Sequence, residues 1–176
     1  MKRRWSIGRS VRGLTLACAV LTTGLMAGVF YAYAVSVNLG LAEQPDASYV
    51  ATMNEINEKI QNPLFFPGFF GAVVFPVAAL VAHLPRRQRS GRFWLIVLAC
   101  ALYVGGSFLV TVLANVPLNE ELAHVATDAP AGELARARAA YEEPWNFWNG
   151  VRSLISVVAF AALIGACLLR EDPKGR

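Results

Sequence analysis

The sequence predicts an all-α integral membrane protein, a four-helix bundle with short helices in its two extracytoplasmic connections. Three observations predict it. The 176 residues are 56% apolar and 16% charged, with a mean hydropathy of +0.45, whereas an average soluble domain is roughly 45–50% apolar and about 25% charged. The excess lies in four runs, 13–37, 64–84, 93–114 and 151–169, each close to the ~20 residues that cross a bilayer. Apart from His83, and Arg152 at the edge of the fourth, these runs contain no Asp, Glu, Lys, Arg or His. The charges outside them are sorted by side. Twelve of the sixteen cations precede the first run, fill the 85–92 connection or follow the last run; ten of the twelve acids, Glu43 to Glu143, occupy the other two connections. By the positive-inside rule both termini are cytoplasmic. The expectation is therefore one membrane domain, 1–176, multi-pass in the plasma membrane. The net charge of +4 is accounted for by this sorting and gives no reason to invoke nucleic acid.

The first run follows a basic start and contains Ala32-Tyr33-Ala34, which imitates a signal peptide and its cleavage site. A signal core has roughly 7–15 apolar residues, and 13–37 is longer, so the run is read as a retained span. Its Gly24, Gly28, Ala32 and Ser36 recur every four residues, a small-residue stripe that lets a neighbouring helix approach. The first outer connection, 38–63, holds a helical pattern. Tyr49, Met53, Ile56 and Ile60 form one face, Asn54, Asn57 and Gln61 another, with Asp46 or Ser48 as the cap and Pro63 as the stop. In the second run Pro67 and Pro76 are expected to kink the helix. The short basic connection 83–92 reads as topology and lipid anchoring. In the third, Pro117 is expected to stop the helix as it leaves the membrane. The second outer connection, 115–150, has a helix-forming stretch over 132–143, and Pro144 fits the first turn of a helix running into the fourth span. Gly68/Ala72, Ala101/Gly105 and Ala161/Gly165 are candidate helix contacts.

Several chemistries find no support. Cys18, Cys100 and Cys167 lie singly in separate spans, so neither a thiol pair nor a zinc cluster is visible. His83 and His124 fall at opposite membrane faces. There is no glycine-rich phosphate loop, H-E-x-x-H or G-x-S-x-G. No charge lies mid-span and no inverted repeat is evident, which makes a transporter the weaker alternative.

The amides are placed unevenly. All eight asparagines, Asn38, Asn54, Asn57, Asn62, Asn115, Asn119, Asn146 and Asn149, fall on the outer side or at its boundary. Helix capping accounts for some of them, but not for their confinement to one side. In Asn115-Val116-Pro117-Leu118-Asn119 two amides flank a helix break. In Trp145-Asn146-Phe147-Trp148-Asn149-Gly150-Val151-Arg152, helical spacing puts Trp145, Trp148, Asn149 and Arg152 on one face. The plain alternatives are an aromatic belt for the tryptophans, and snorkelling or pairing with Glu142 or Glu143 for Arg152.

These stretches also carry a resemblance. Asn57-x-x-Ile60-Gln61-Asn62-Pro63-x-Phe65, Asn115-Val116-Pro117-Leu118-Asn119 and Trp145-x-x-Trp148-Asn149-x-x-Arg152, in this order among four spans, resemble the anthrone oxygenase-like family of small four-helix membrane proteins. The likeness runs from about Leu14 to Leu169. It implies oxidation of an activated aromatic methylene to a ketone with dioxygen, without a cofactor. Dioxygen would be the co-substrate, and an anthrone- or hydroquinone-like molecule the substrate, at the outer membrane face. Such chemistry needs an aromatic shelf, donors for a developing oxyanion, a base and a dry pocket. The candidate catalytic set is Asn115, Asn119, Trp145, Trp148, Asn149 and Arg152. The candidate substrate-binding set is Asn57, Gln61, Asn62 and Phe65, with Phe66 as a further wall. The base is open among Glu142, Glu143 and His124. The alternative is a non-enzymatic membrane protein whose outer polar cap binds a lipid, a small molecule or a partner. Both readings predict a tight network around Arg152, and they differ in whether a pocket remains beside it.

Overall fold

The computed structural model describes residues 2–84 and 91–169, with side chains from Ser10 onward. The side chains of Lys2, Arg3, Arg4 and Arg9, and the basic clusters within 85–90 and 170–176, lie outside the described residues. Among the described residues every regular element is helical. Helix α1, Lys2–Ala32, passes through a π-helical segment, Tyr33–Val37, into α2, Asn38–Ala42. Then follow α3, Asp46–Lys59, and α4, Phe65–His83. Helix α5, Gly91–Leu102, continues through π segments Tyr103–Phe108 and Thr111–Asn115 into α6, Val116–Ala123. Helix α7, Ala131–Leu168, closes the bundle. Four stretches, Ser10–Ala42, Phe65–His83, Gly91–Ala123 and Ala131–Leu168, are long and apolar enough to cross a membrane. The chain is an all-α, multi-pass membrane protein.

Three of the helices outrun the apolar runs, and prolines explain part of the difference. Pro117 does not stop the third span: it follows directly on a π segment, a local widening of the helix of the kind that accompanies an interrupted backbone ladder. Pro144 lies inside α7 rather than at its start. The helix formers from Ala131 onward carry the helix to it, and Leu134 and Tyr141 anchor that stretch by burial. Pro67 falls in the first turn of α4, where it breaks no bond, and only Pro76 is interior. Neither Asp46 nor Ser48 caps α3. The cap position is Pro45, and the Asp46 carboxylate is instead engaged by Arg138 at 3.0 Å.

Helix α1 packs on α4 and α7, and α5 packs on the same two, so α1 and α5 occupy opposite corners. The corners close where glycine removes a Cβ. One added at Gly24 would lie 2.7 Å from the Phe160 ring, one at Gly71 2.8 Å from Thr22, and one at Gly106 2.9 Å from Ile155. The predicted four-residue stripe on α1 holds only at Gly24. Gly28, Ala32 and Ser36 are exposed, because a four-residue repeat overshoots the α-helical turn by about 40° per step. Of the proposed pairs, Gly68/Ala72 is buried, whereas Ala101, Gly105 and Ala161 face outward. Gly106, Ala162 and Ala166 take their places.

Two apolar clusters result. The membrane core gathers Met26, Phe30, Phe69, Ile96, Tyr103, Ala159 and Leu163. The second sits under α3, where Tyr49, Val50 and Met53 pack on Leu122, Leu134, Tyr141 and Trp145. Exposed Leu, Val and Phe side chains cover the outside of the spans, as a bilayer solvent requires.

Candidate functional site

The site is built where α7 passes under α3. Residues 141, 145, 149 and 152 follow an i, i+4, i+8, i+11 seam, and Tyr141, Trp145, Asn149 and Arg152 are all buried there. On the third span, Tyr103, Ser107, Thr111 and Asn115 are likewise all buried. A four-residue spacing would drift around a regular α-helix. The wider π turns, which take more residues per turn, rotate the face back and keep all four pointing inward. The two seams meet in hydrogen bonds. Ser107 and Ser156 hydroxyls lie 2.8 Å apart, and the Asn115 amide donates to the Trp145 carbonyl at 3.3 Å.

Arg152 is the centre of this contact. Its Nε and one terminal nitrogen both donate to Asn149 Oδ1, at 3.1 and 3.0 Å, and the other terminal nitrogen donates to Thr111 Oγ1 at 3.3 Å. Asn149 in turn donates to the Phe30 carbonyl at 3.2 Å. The guanidinium carbon stands 4.3 Å from the Phe30 ring centre and 5.2 Å from that of Trp145. Only 8% of the residue is exposed. None of the ion pairs among the described residues involves it. Placing an arginine within a membrane helix costs about 2.5–3.5 kcal/mol even on the mildest scales. Cation–π contacts return on the order of 2 kcal/mol when desolvated, and two neutral acceptors, Asn149 Oδ1 and Thr111 Oγ1, take three hydrogen bonds without adding a counter-charge. Arg152 is a buried cation held in place but not neutralised.

Above it, Asn119 ties the roof together. Its Oδ1 accepts from the Trp145 indole at 2.8 Å and from the Tyr141 hydroxyl at 2.9 Å. Asn57 on α3 reaches the same hydroxyl at 3.4 Å, and Asn54 donates to the Leu122 carbonyl at 3.4 Å. Arg138 pins the other end of α3. It donates to Glu142 at 2.6 Å, to Asp46 at 3.0 Å and to the carbonyls of Gln44 and Ala42 at 2.7 and 2.8 Å, with its charge over the Tyr49 ring at 4.5 Å. Burial pushes the Tyr49 phenol well above its ordinary range, with Glu142 adding to the shift and Arg138 opposing it.

Of the ten residues singled out from the sequence, the fold thus brings together Asn57, Asn115, Asn119, Trp145, Asn149 and Arg152. Trp148 is not among them. It is about 60° behind Trp145 on the helix, is 37% exposed and packs on Phe147 at 5.1 Å. Gln61 is exposed, just past the end of α3, and donates back to the Asn57 carbonyl. Asn62 builds the turn into α4, its Oδ1 accepting from the Leu64 and Phe65 amides at 2.9 and 3.0 Å. Phe65 stacks on Phe69 at 5.4 Å. The three candidate bases lie elsewhere: Glu142 is paired with Arg138, and Glu143 and His124 are exposed. Sequence reasoning missed Phe30, Tyr103, Thr111, Tyr141 and Arg138. Extending the i, i+4 spacing back from Trp145 and Asn115 points to Tyr141 and Thr111; nothing in the sequence marks Phe30.

A surface pocket of about 100 Å³ opens between α6 and α7, lined by Leu118, Glu121, Leu122, Val125, Ala137, Ala140 and Tyr141. It meets the network only at Tyr141. Among the described residues no three His, Cys, Asp or Glu side chains come together as metal ligands.

Comparison with known proteins gives one match. Residues 64–162 fit the family described as Anthrone oxygenase, a stretch that contains Asn115, Asn119, Trp145, Asn149 and Arg152. No curated protein and no solved structure matches the chain. The match covers more than half of the sequence, and the chain belongs to the anthrone oxygenase family.

Proposed function

We propose that the protein is a cofactor-independent oxygenase for an aromatic, anthrone- or hydroquinone-like substrate, bound at the end of the bundle that α3 covers. In this reading Arg152 holds the ionised oxygen of the ligand. The observation that carries it is the buried guanidinium, 4.3 Å from the Phe30 ring centre and 5.2 Å from that of Trp145, with no carboxylate partner. An aromatic enolate would supply the missing charge.

The chemistry follows from that charge. Loss of a methylene proton spreads negative charge onto the ring oxygen, and a cation aimed at that oxygen in a dry site stabilises it far better than water does. The electron-rich ring carbon then reacts with dioxygen. One oxygen atom becomes the ketone and the other leaves as water with the two methylene hydrogens. With Glu142, Glu143 and His124 placed away from Arg152, the reading has the site select the ligand already ionised, the proton going to solvent. Trp145 and Phe30 would form the ring shelf, with Asn115 and Asn149 as polar walls. The acidic-end placement agrees with an outer-leaflet site in the plasma membrane, with both termini inside. Oxygen uptake by purified protein with anthrone tests the proposal. A rate well above protein-free autoxidation supports it, and equality of the two rates across a panel of anthrones and hydroquinones refutes it.

A second reading is favoured by two observations. The pocket described above opens at Tyr141 and not beside Arg152. Asn119, Asn149 and Arg152 each bond across helices, which is what a purely structural cap would do. In that reading the protein is a non-enzymatic membrane module, and Arg152 is a pivot for folding.

A further inference from the structure

The Asn115 amide is paired at its nitrogen and unpaired at its oxygen. The nitrogen donates to the Trp145 carbonyl at 3.3 Å, and that bond fixes which way the amide is turned, because the reverse would set two oxygens against each other. Oδ1 is then buried without a hydrogen-bond partner, in a residue that is 0% exposed. The single-proton donors on its neighbours are already used. The Trp145 indole goes to Asn119 Oδ1 at 2.8 Å, and the Thr111 hydroxyl to the Ser107 carbonyl at 2.9 Å. A buried acceptor left without a donor costs about 1–3 kcal/mol, and within a membrane no solvent relieves it.

The same neighbours hold the buried cation. Asn115 stands one turn from Thr111 on the inward seam of the third span, and Thr111 Oγ1 accepts from Arg152 at 3.3 Å. Trp145 touches both groups from α7: its carbonyl takes the Asn115 amide, and its ring centre lies 5.2 Å from the guanidinium carbon. A guanidinium has five N–H donors, and Arg152 spends three of them on Asn149 and Thr111. Unused donors on a cation and an unused acceptor therefore lie on adjoining turns of one seam. Their complement is an ionised oxygen with a hydroxyl next to it, the first accepting from Arg152 and the second donating to Asn115.

We infer that Asn115 is a specificity-determining residue of this site, and that its Oδ1 accepts from a ligand hydroxyl that neighbours the ionised oxygen on Arg152. The inference rests on the proposed function, which places that oxygen. The ligands selected are aromatic compounds whose hydroxyl sits beside the oxyanion; an ether at the same position, which has no proton to give, leaves Oδ1 unpaired.

The test sets 2,3-dihydroxynaphthalene against 3-methoxy-2-naphthol, in which the neighbouring oxygen is present but cannot donate. Both are titrated calorimetrically into the full-length protein in lipid nanodiscs, with empty nanodiscs as the blank. Wild type is expected to bind the dihydroxy ligand about tenfold more tightly, the worth of one hydrogen bond. In Asn115→Leu, which keeps the side-chain size and removes Oδ1, that preference should vanish; Asn115→Ala serves the same comparison if circular dichroism shows the leucine variant unfolded. A purely structural role for Asn115 would weaken both ligands alike and preserve their ratio. That outcome, or equal binding of the two ligands by wild type, refutes the role of Asn115 and leaves the Arg152 site standing. If neither ligand binds wild type at all, the proposed function and this inference fall together.

Discussion

The Oδ1 atom of Asn149 accepts two hydrogen bonds from the side chain of Arg152, 3.1 Å from Nε and 3.0 Å from a terminal nitrogen. The two residues lie one turn apart on α7, so a single helix carries both the charge and the amide that fixes its direction. Both bonds converge on one neutral amide oxygen, where a carboxylate would offer two charged ones. This leaves the positive charge available, and it separates the stability of the bundle from the use of the charge.

Arg152→Met makes that separation measurable. Replacing a buried charge with an apolar residue of similar length is often neutral or stabilising by about 1–4 kcal/mol. Thermal unfolding in detergent should show a midpoint equal to or above that of wild type, with binding of aromatic oxyanions lost. A variant that no longer folds would favour the structural cap.

Asn149→Leu should do the opposite, because it strands the charge. Removing one partner of a buried charge costs about 3–5 kcal/mol, and the Phe30 carbonyl also loses its donor. The double variant with Arg152→Met should recover most of this loss. Additive losses in that double-mutant cycle would show that the pair is not coupled.

Asn119 carries two buried donors on one oxygen. Asn119→Leu leaves the Trp145 indole and the Tyr141 hydroxyl without their acceptor, at about 1–3 kcal/mol each. The expected readout is a lower unfolding midpoint with a shifted Trp145 fluorescence maximum, isolated by Trp145→Phe controls.

Arg138 gathers three acceptors from α2, α3 and their connection onto α7, where Glu142 is its fourth. In Arg138→Gln, amide exchange across Asp46–Lys59 should speed up at least severalfold while exchange in the transmembrane core stays slow. Unchanged exchange would mean that the Tyr49, Val50 and Met53 contacts hold α3 unaided.

Tyr49 supplies a pH dependence. Its phenol ionises less readily in the folded chain than the ordinary value near 10. The unfolded state therefore binds fewer protons above that pH, and stability falls as pH rises through about 10. Tyr49→Phe should flatten the alkaline limb and leave the neutral range unchanged, because Tyr49 is uncharged there in both states.

The bundle was legible in the sequence because bilayer-length runs and sorted charges depend on little else. Asn115, Asn119, Trp145, Asn149 and Arg152 meet because their spacing around Pro117 and on α7 follows helical periodicity, and Asn57 joins them from α3. Trp148 was misplaced because spacing alone does not decide which edge of a wide face meets a neighbour. Pro117 and Pro144 were read as boundaries, but a π segment and a well-anchored helix absorbed them. Phe30 was invisible, since an apolar residue in a span gains meaning only from the helix opposite. The π turns left no mark in composition, yet they align Tyr103, Ser107, Thr111 and Asn115.

The central claim is that Arg152 serves as the counter-charge for an aromatic oxyanion. The direct measurement is an absorbance titration of a bound hydroxyanthraquinone against pH, in wild type and in Arg152→Met. The account predicts that the bound dye ionises at least one pH unit below the free dye, a tenfold preference for the anion, and that Arg152→Met abolishes this shift. A dye that binds wild type and ionises at or above its free value would contradict it.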